Sequence, residues 1–154
     1  MSQGIPLTQD RVTLPVLGKM KKEKKVISAL SIYDACHARL FDQAGGDVII
    51  IGDSASMTVM GRPNTLPMTT EEMLFVARSV CRGTKRLFVV GDMPLGSYEI
   101  SNELAATNAL RFMKEVGDRP CNAVKVEAFR PSHLERIAAI ADLCPVVMHI
   151  GLNP

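Results

Sequence analysis

Short apolar runs, rich in β-branched residues, alternate along this chain with longer segments whose apolar residues recur at helical spacing. Strict alternation of strand and helix predicts a parallel sheet with right-handed crossovers. Two architectures satisfy this pattern: an open doubly wound sheet, or part of a (β/α)8 barrel. The predicted strands cover residues 26–32, 48–51, 87–90, 123–126 and 146–149.

The segments outside the strands carry helix signals. Residues 13–24 predict a short N-terminal helix, preceded by a flexible N-terminus, residues 1–12, so that residues 13–154 form the domain. Asp34 is expected to cap the helix that follows the first strand. Residues 52–68 predict a long loop, and loops of that length in compact domains are usually functional or mobile.

Two later segments match the capping-box pattern, in which Ser or Thr is followed three residues on by Glu. These pairs are Thr69 with Glu72 and Ser132 with Glu135. Each precedes apolar residues at helical spacing. We therefore expect a reciprocal cap at the start of both helices.

Composition excludes several classes of protein. A length of 154 residues suits one domain, and 47% hydrophobic with 22% charged residues is ordinary for a globular protein. A net charge of +2 is too small to indicate nucleic acid as a partner. No apolar run reaches the length of a membrane span, and residues 1–10 lack the apolar core of a signal peptide. Four cysteines without a C-x-x-C pair favour a reducing compartment, so a cytoplasmic protein is expected.

Ionisable residues follow the predicted strands. Asp53 and Asp92 come after the second and third strands, while Glu127 and His149 end the fourth and fifth. The carboxyl ends of parallel strands form the active-site rim of α/β folds, and three carboxylates there could hold a hard divalent cation. Strand alternation places Lys125 on the same face as Glu127.

No phosphate-binding glycine pattern, G-x-G-x-x-G or G-x-x-x-x-G-K-[ST], occurs, so nucleotide-binding folds are less favoured. A complete barrel needs roughly 250 residues. The chain supplies about five strands and four helices of one, besides the short N-terminal helix. It would leave open edges at the first and fifth strands.

Five groups of short stretches form a further pattern along the chain. They are residues 32–34 (IYD), 52–61 (GDSASMTVMG) with 64–69 (NTLPMT), 92–94 (DMP) with 97–98 (SY), 124–127 (VKVE) and 149–152 (HIGL). In their order and near their spacing, these stretches resemble the ketopantoate hydroxymethyltransferase family. Any one motif is weak, but five in register are specific, and the resemblance covers about residues 13–154.

The resemblance implies a (β/α)8 barrel, usually in large homo-oligomers. It implies transfer of a hydroxymethyl group from the co-substrate 5,10-methylenetetrahydrofolate to 3-methyl-2-oxobutanoate, a 2-oxo acid, giving 2-dehydropantoate for pantothenate biosynthesis. The cofactor implied is Mg²⁺.

The resemblance also assigns residues. Asp53 and Asp92 would ligate the metal, with Glu127 close by through a water. The substrate-binding residues would be Ser54, Asp92, Lys125 and His149.

The chain also departs from the family. The general base, a glutamate on a later strand, has no counterpart, and neither does a Gly-rich segment after the histidine strand. Ala128 and Phe129 stand where glycines are usual. We therefore expect impaired turnover by this chain alone and assign it no catalytic base.

Two other functions remain open. Enzymes of the phosphoenolpyruvate mutase and isocitrate lyase superfamily also place Mg²⁺ and 2-oxo acids on strand-end carboxylates, although residues 65–67 and 92–94 favour the first family. The other alternative is a non-catalytic truncated barrel that associates with a full-length barrel, which the missing base and the open edges favour.

Overall fold

The computed structural model describes residues 10–151. Its five strands form one parallel sheet in the order of the sequence, so that each strand pairs with the next. A doubly wound sheet would instead place its first strand inside the sheet. The predicted partial (β/α)8 barrel is confirmed. The strands are β1 (Ala29–Ser31), β2 (Val48–Ile51), β3 (Phe88–Asp92), β4 (Ala123–Glu127) and β5 (Val146–His149).

Six helices occur within residues 10–151. The first precedes the sheet, as predicted, and four of the others connect consecutive strands. The remaining one is a single turn inside the predicted loop 52–68, too short to give a periodic pattern. The helices are α1 (Leu14–Lys22), α2 (Ala35–Gln43), α3 (Ala55–Thr58), α4 (Thr70–Gly83), α5 (Asn102–Lys114) and α6 (Pro131–Ala141).

Strand β1 is shorter than the predicted strand 26–32. Ala29 is the first residue in register with β2. Just before it, Ser28 donates hydrogen bonds to Asp47 Oδ2 from its backbone N–H (2.9 Å) and from its hydroxyl (2.7 Å). The Ser28 carbonyl still accepts from the Val48 N–H at 3.0 Å, but its own N–H is bound by the Asp47 carboxylate, so regular strand pairing starts at Ala29.

The cap predictions had different outcomes. Asp34 accepts hydrogen bonds from the next helix, and Thr69 and Glu72 form the predicted reciprocal box. The capping box predicted at Ser132 and Glu135 is wrong. Helix α6 begins at Pro131, two residues before the start that a cap at Ser132 would give, because the fixed φ of proline suits the first helical position.

Each face of the sheet has its own apolar cluster. The larger lies between the sheet and the helices, and the smaller lies on the opposite face, where Val12 packs with Phe88, Val90 and Ala123. Side chains alternate along a strand, so Asp92 continues the row of Phe88 and Val90 on that second face. The polar ends of β3 and β4 therefore lie on the face that a barrel turns inward.

The predicted flexible segment 1–12 lies mostly outside the described residues, so this boundary stays a prediction. Within residues 10–151, no helix is both long enough and apolar enough to cross a membrane.

Candidate active site at the carboxyl ends of the strands

Four of the predicted site residues form a continuous polar row across three strands. Asp92 and Lys125 are register partners between β3 and β4, as are Glu127 and His149 between β4 and β5. Lys125 Nζ lies 2.7 Å from Asp92 Oδ2 and 3.5 Å from Glu127 Oε1. His149 Nδ1 lies 3.1 Å from the same Glu127 oxygen. Adjacency in the sheet and strand alternation thus produce the row directly.

Asp92 is the most deeply buried member of the row, with 3% of its surface exposed. Burial raises the pKa of this carboxyl from 3.8 to about 6, while the attraction and hydrogen bond of Lys125 oppose the rise. The negative charges of Asp53 and Glu127 add to the increase in the pKa. A cation placed among these carboxylates would favour the ionised form.

The Gly-Asp-Ser turn after β2 contributes Asp53 and Ser54 to the candidate site. Ser54 Oγ lies 2.7 Å from the hydroxyl of Tyr33, which holds the serine side chain in place. A Cβ on Gly52 would lie 2.7 Å from Ser54 Oγ, so this position requires glycine for that orientation of the serine. Asp53 is half-buried and close enough to Asp92 for its charge to raise the pKa of Asp92.

The donor chemistry of these carboxylates suits Mg²⁺. This ion prefers hard oxygen ligands, keeps several of its waters and needs only one or two protein carboxylates. Within residues 10–151, no group of three or more His, Cys, Asp or Glu side chains is placed to hold a metal ion. Asp92 and Glu127 both contact the Lys125 ammonium instead. The metal set of Asp53, Asp92 and Glu127 stays a prediction.

The loop from residue 52 to residue 68 is tied to helix α4. Arg62 Nη1 donates to Glu72 Oε2 at 3.1 Å and to the carbonyl of Pro67 at 3.2 Å. Inside the loop, the Ser56 hydroxyl donates to the carbonyl of Asn64 at 2.8 Å. The segment beside Asp53 is therefore held by side chains.

Three residues near the site were not predicted to act there. Tyr33 follows β1 as Asp53 follows β2, so the strand-end rule could have found it. Tyr98 is buried and places its hydroxyl 3.5 Å from the carbonyl oxygen of Glu127. His133 reaches the same carbonyl, and no spacing in the sequence signals this contact.

Solved structures support the fold assignment. The chain is similar to phosphoenolpyruvate phosphomutase from Streptomyces platensis subsp. rosaceus, with a TM-score of 0.68 and 20% identity over 86% of this chain and 51% of that one. It is also similar to phosphonopyruvate hydrolase in complex with oxalate and Mg²⁺, with a TM-score of 0.63 and 16% identity, and this match covers 86% of this chain and 50% of that one. Identity this low shows the fold alone. The strand order and the polar row define the class as part of a (β/α)8 barrel with a strand-end site.

Sequence comparison identifies the family within this class. The family described as ketopantoate hydroxymethyltransferase matches residues 11–154, and the chain belongs to it. The 3-methyl-2-oxobutanoate hydroxymethyltransferase of Cyanothece sp. is 42% identical over 144 residues, covering 93% of this chain and 54% of that protein. The enzyme of that name from Leifsonia xyli is 45% identical over 135 residues, covering 87% and 47%. The chain spans about half the length of these curated relatives.

Proposed function

We propose that this protein serves in hydroxymethyl transfer from 5,10-methylenetetrahydrofolate to 3-methyl-2-oxobutanoate, giving 2-dehydropantoate. Membership of the family supports the reaction class. The observation that carries the proposal is the row Asp92, Lys125, Glu127 and His149, because it concentrates charge and hydrogen-bonding groups at the ends of adjacent strands.

Lys125 would supply positive charge in the reaction. Removing a proton beside a ketone leaves negative charge on the keto oxygen, and a fixed ammonium group stabilises that charge. Lys125 is largely buried and held by two carboxylates, so its position is set before the substrate arrives. His149, held by Glu127, would contact the substrate's carboxylate or keto oxygen.

The excess of negative charge at the site supports the binding of Mg²⁺. Asp92 and Glu127 share the single Lys125 ammonium group, and the charge of Asp53 also acts on Asp92, so negative charge exceeds positive charge and attracts a divalent cation. Asp53 and Asp92 would hold the metal, and Glu127 would contact it through a water. Magnesium, when bound, would supply Lewis-acid polarisation of the keto oxygen. Ser54, oriented by Tyr33, would bind the 2-oxo acid beside these carboxylates.

A polypeptide of these 154 residues is proposed to bind the 2-oxo acid without appreciable turnover. The glutamate that the family uses as a base belongs to a later strand, beyond the part of the barrel described here. Addition of the family's remaining strands would complete the site.

The edges of the sheet support association with further strands or with other subunits. In the described part of the chain, β1 and β5 each pair with one neighbour only. Leu30, Met148 and Ile150 are exposed along these edges, and Ile150 shows 75% of its surface. Unpaired edges with apolar side chains favour association. We propose a homo-oligomer or association with a full-length barrel, which sedimentation velocity would detect.

We further propose a cytoplasmic location. Cys36, Cys81, Cys121 and Cys144 are all free thiols, which suits a reducing compartment.

The phosphoenolpyruvate mutase alternative is supported only by similarity of fold. The sequence relatives therefore favour the hydroxymethyltransferase reaction.

Calorimetry with 3-methyl-2-oxobutanoate tests this function. The chain should bind the keto acid in the presence of Mg²⁺ and lose this binding in EDTA. Lys125→Met should weaken binding roughly 30-fold, the equivalent of about 2 kcal/mol for a lost charge-assisted contact. Lys114→Met, an exposed lysine at the end of α5, is the matched control and should leave the affinity unchanged.

Equal affinity for the keto acid in Mg²⁺ and in EDTA would contradict the proposed site, and so would an unchanged affinity in the Lys125→Met variant.

A direct assay of hydroxymethyl transfer tests whether the family's general base is needed. Measurable turnover by the 154-residue chain would show that the later glutamate is dispensable.

A further inference from the structure

His133 is a buried histidine outside the set of predicted site residues. It lies in the first turn of α6 with 3% of its surface exposed. Its Nδ1 is 2.9 Å from the main-chain carbonyl oxygen of Glu127. A carbonyl oxygen can only accept a hydrogen bond, so the ring must carry a proton on Nδ1. The contact therefore determines which ring nitrogen is the donor.

The imidazole ring is held by aromatic neighbours. Tyr98 meets it edge-on with ring centroids 5.8 Å apart, and Phe129 does so at 4.6 Å. Such T-shaped pairs are favourable and directional. Packing thus limits the orientation of the ring, so the position of its Nδ1–H is limited as well.

The carbonyl that His133 holds belongs to the last residue of β4. Beyond it, one backbone hydrogen bond continues towards β5, from Ala128 N–H to the carbonyl of His149 at 2.8 Å. The Tyr98 hydroxyl is farther from the Glu127 oxygen, at 3.5 Å. His133 therefore makes the shortest side-chain contact to this carbonyl, at the point where the strand gives way to a loop.

We infer that His133 is a positioning residue for the candidate site. By fixing the Glu127 peptide, it keeps the Glu127 carboxylate between Lys125 Nζ at 3.5 Å and His149 Nδ1 at 3.1 Å. The hydrogen bond of His133 is to the main-chain carbonyl of Glu127 and not to the carboxylate that it positions. Its effect on Mg²⁺ or substrate rests on the proposed function, whereas its effect on Glu127 and His149 does not.

Two substitutions separate the hydrogen bond from packing. His133→Phe keeps an aromatic ring between Tyr98 and Phe129 but removes the donor. His133→Asn is the conservative variant, because its amide N–H can reach the same carbonyl. The same change to phenylalanine at the exposed His37 is the matched control.

The first measurement is NMR of the 154-residue chain without metal. Its three histidines make the imidazole nitrogen signals assignable. In the unchanged protein, we expect a protonated Nδ1 on His133. His133→Phe should shift the Glu127 carboxylate and His149 ring signals, and His133→Asn should restore them. An unprotonated Nδ1 on His133 would overturn the inference even if a variant fails to fold. Unmoved Glu127 and His149 signals in a folded His133→Phe variant would also overturn it.

The second measurement is Mg²⁺ affinity by calorimetry, with circular dichroism as a check on folding. Removing a group that orients a ligand typically weakens metal binding by roughly 10-fold or more. We expect that loss in His133→Phe, with recovery in His133→Asn and no change in His37→Phe. Failure of the unchanged chain to bind Mg²⁺ would contradict the proposed function, while the NMR result would still decide the role of His133.

Discussion

Asp92 and Lys125 face each other as register partners on adjacent parallel strands, with Lys125 Nζ 2.7 Å from Asp92 Oδ2. Both side chains are largely buried, and the lysine also contacts Glu127. Taking two charges out of water is costly, and their attraction offsets that cost only in part. A buried ion pair of this kind therefore contributes little to the free energy of unfolding.

Stability should depend on pH through Asp92. Its pKa is about 6 in the folded chain and near 3.8 when unfolded, so the folded state binds more protons between these values. The free energy of unfolding should then fall as pH rises from about 4 to about 6, by on the order of 3 kcal/mol. Asp92→Asn should lack this decrease. Urea unfolding in metal-free buffer at each pH measures this decrease in the free energy of unfolding. Asp142→Asn, at an exposed position, is the control and should keep the decrease. Equal slopes in all three proteins would contradict the assigned pKa.

Mg²⁺ should raise the thermal stability of the chain. At about 100 times its dissociation constant, a ligand that binds only the folded state adds about 2.7 kcal/mol, or roughly 5 to 10 °C in Tm for a chain of this size. Asp53→Asn combined with Asp92→Asn should abolish the increase. Calorimetric scans with Mg²⁺ and with EDTA test this, and an increase that persists in the double variant would place the ion elsewhere. Asp142→Asn should keep the full effect.

Acid should weaken the cap of α4. The hydrogen bonds of Arg62 and then Thr69 lower the pKa of Glu72 to about 2, so its stabilising effect is complete above about 4.5 and is lost as pH falls towards 2. Glu72→Gln can still form a capping box but has no charge. Its stability deficit should be present at pH 5 and shrink on acidification in urea titrations. A deficit independent of pH would contradict the ionic contribution, and the exposed Glu135→Gln serves as control.

Gly91 should not tolerate alanine. A Cβ there would lie 2.5 Å from Phe112 on α5, where β3 packs against that helix. Overpacking of this kind costs about 1 to 3 kcal/mol, and Phe112→Leu in the same chain should recover part of it. Gly18→Ala in α1 meets open space and should instead stabilise the chain by about 1 kcal/mol. Thermal unfolding measures the stability of each variant. A Gly91→Ala variant with unchanged stability would contradict the close packing of Gly91 against Phe112.

Local patterns in the sequence were sufficient for much of the fold. Short apolar runs located the strands, and the Thr69 and Glu72 pair marked the start of α4, because both signals depend on neighbours in sequence. The start of α6 was misassigned because proline at residue 131 competes with the Ser132 pattern. The one-turn helix α3 was missed because four residues carry no period.

In the candidate site, too, some residues could be predicted from the sequence, whereas the contacts between them depend on the folded structure. Asp53, Asp92, Glu127 and His149 could be selected from sequence because each stands at the end of a strand. Strand alternation also placed Lys125 on the face of Glu127, but its contact with Asp92 could not be predicted, since it forms only when β3 and β4 pair in one particular register. The approach of His133 to Glu127 depends on how α6 packs back against the sheet.

The sequence by itself determined the alternation of strands and helices and which residues stand at the strand ends, because spacing along the chain sets both. Tertiary structure alone decided the strand order, the sharing of Lys125 between two carboxylates and the burial that raises the pKa of Asp92. These depend on distances and solvent exclusion between segments far apart in sequence, which form only when the sheet and its helices pack together.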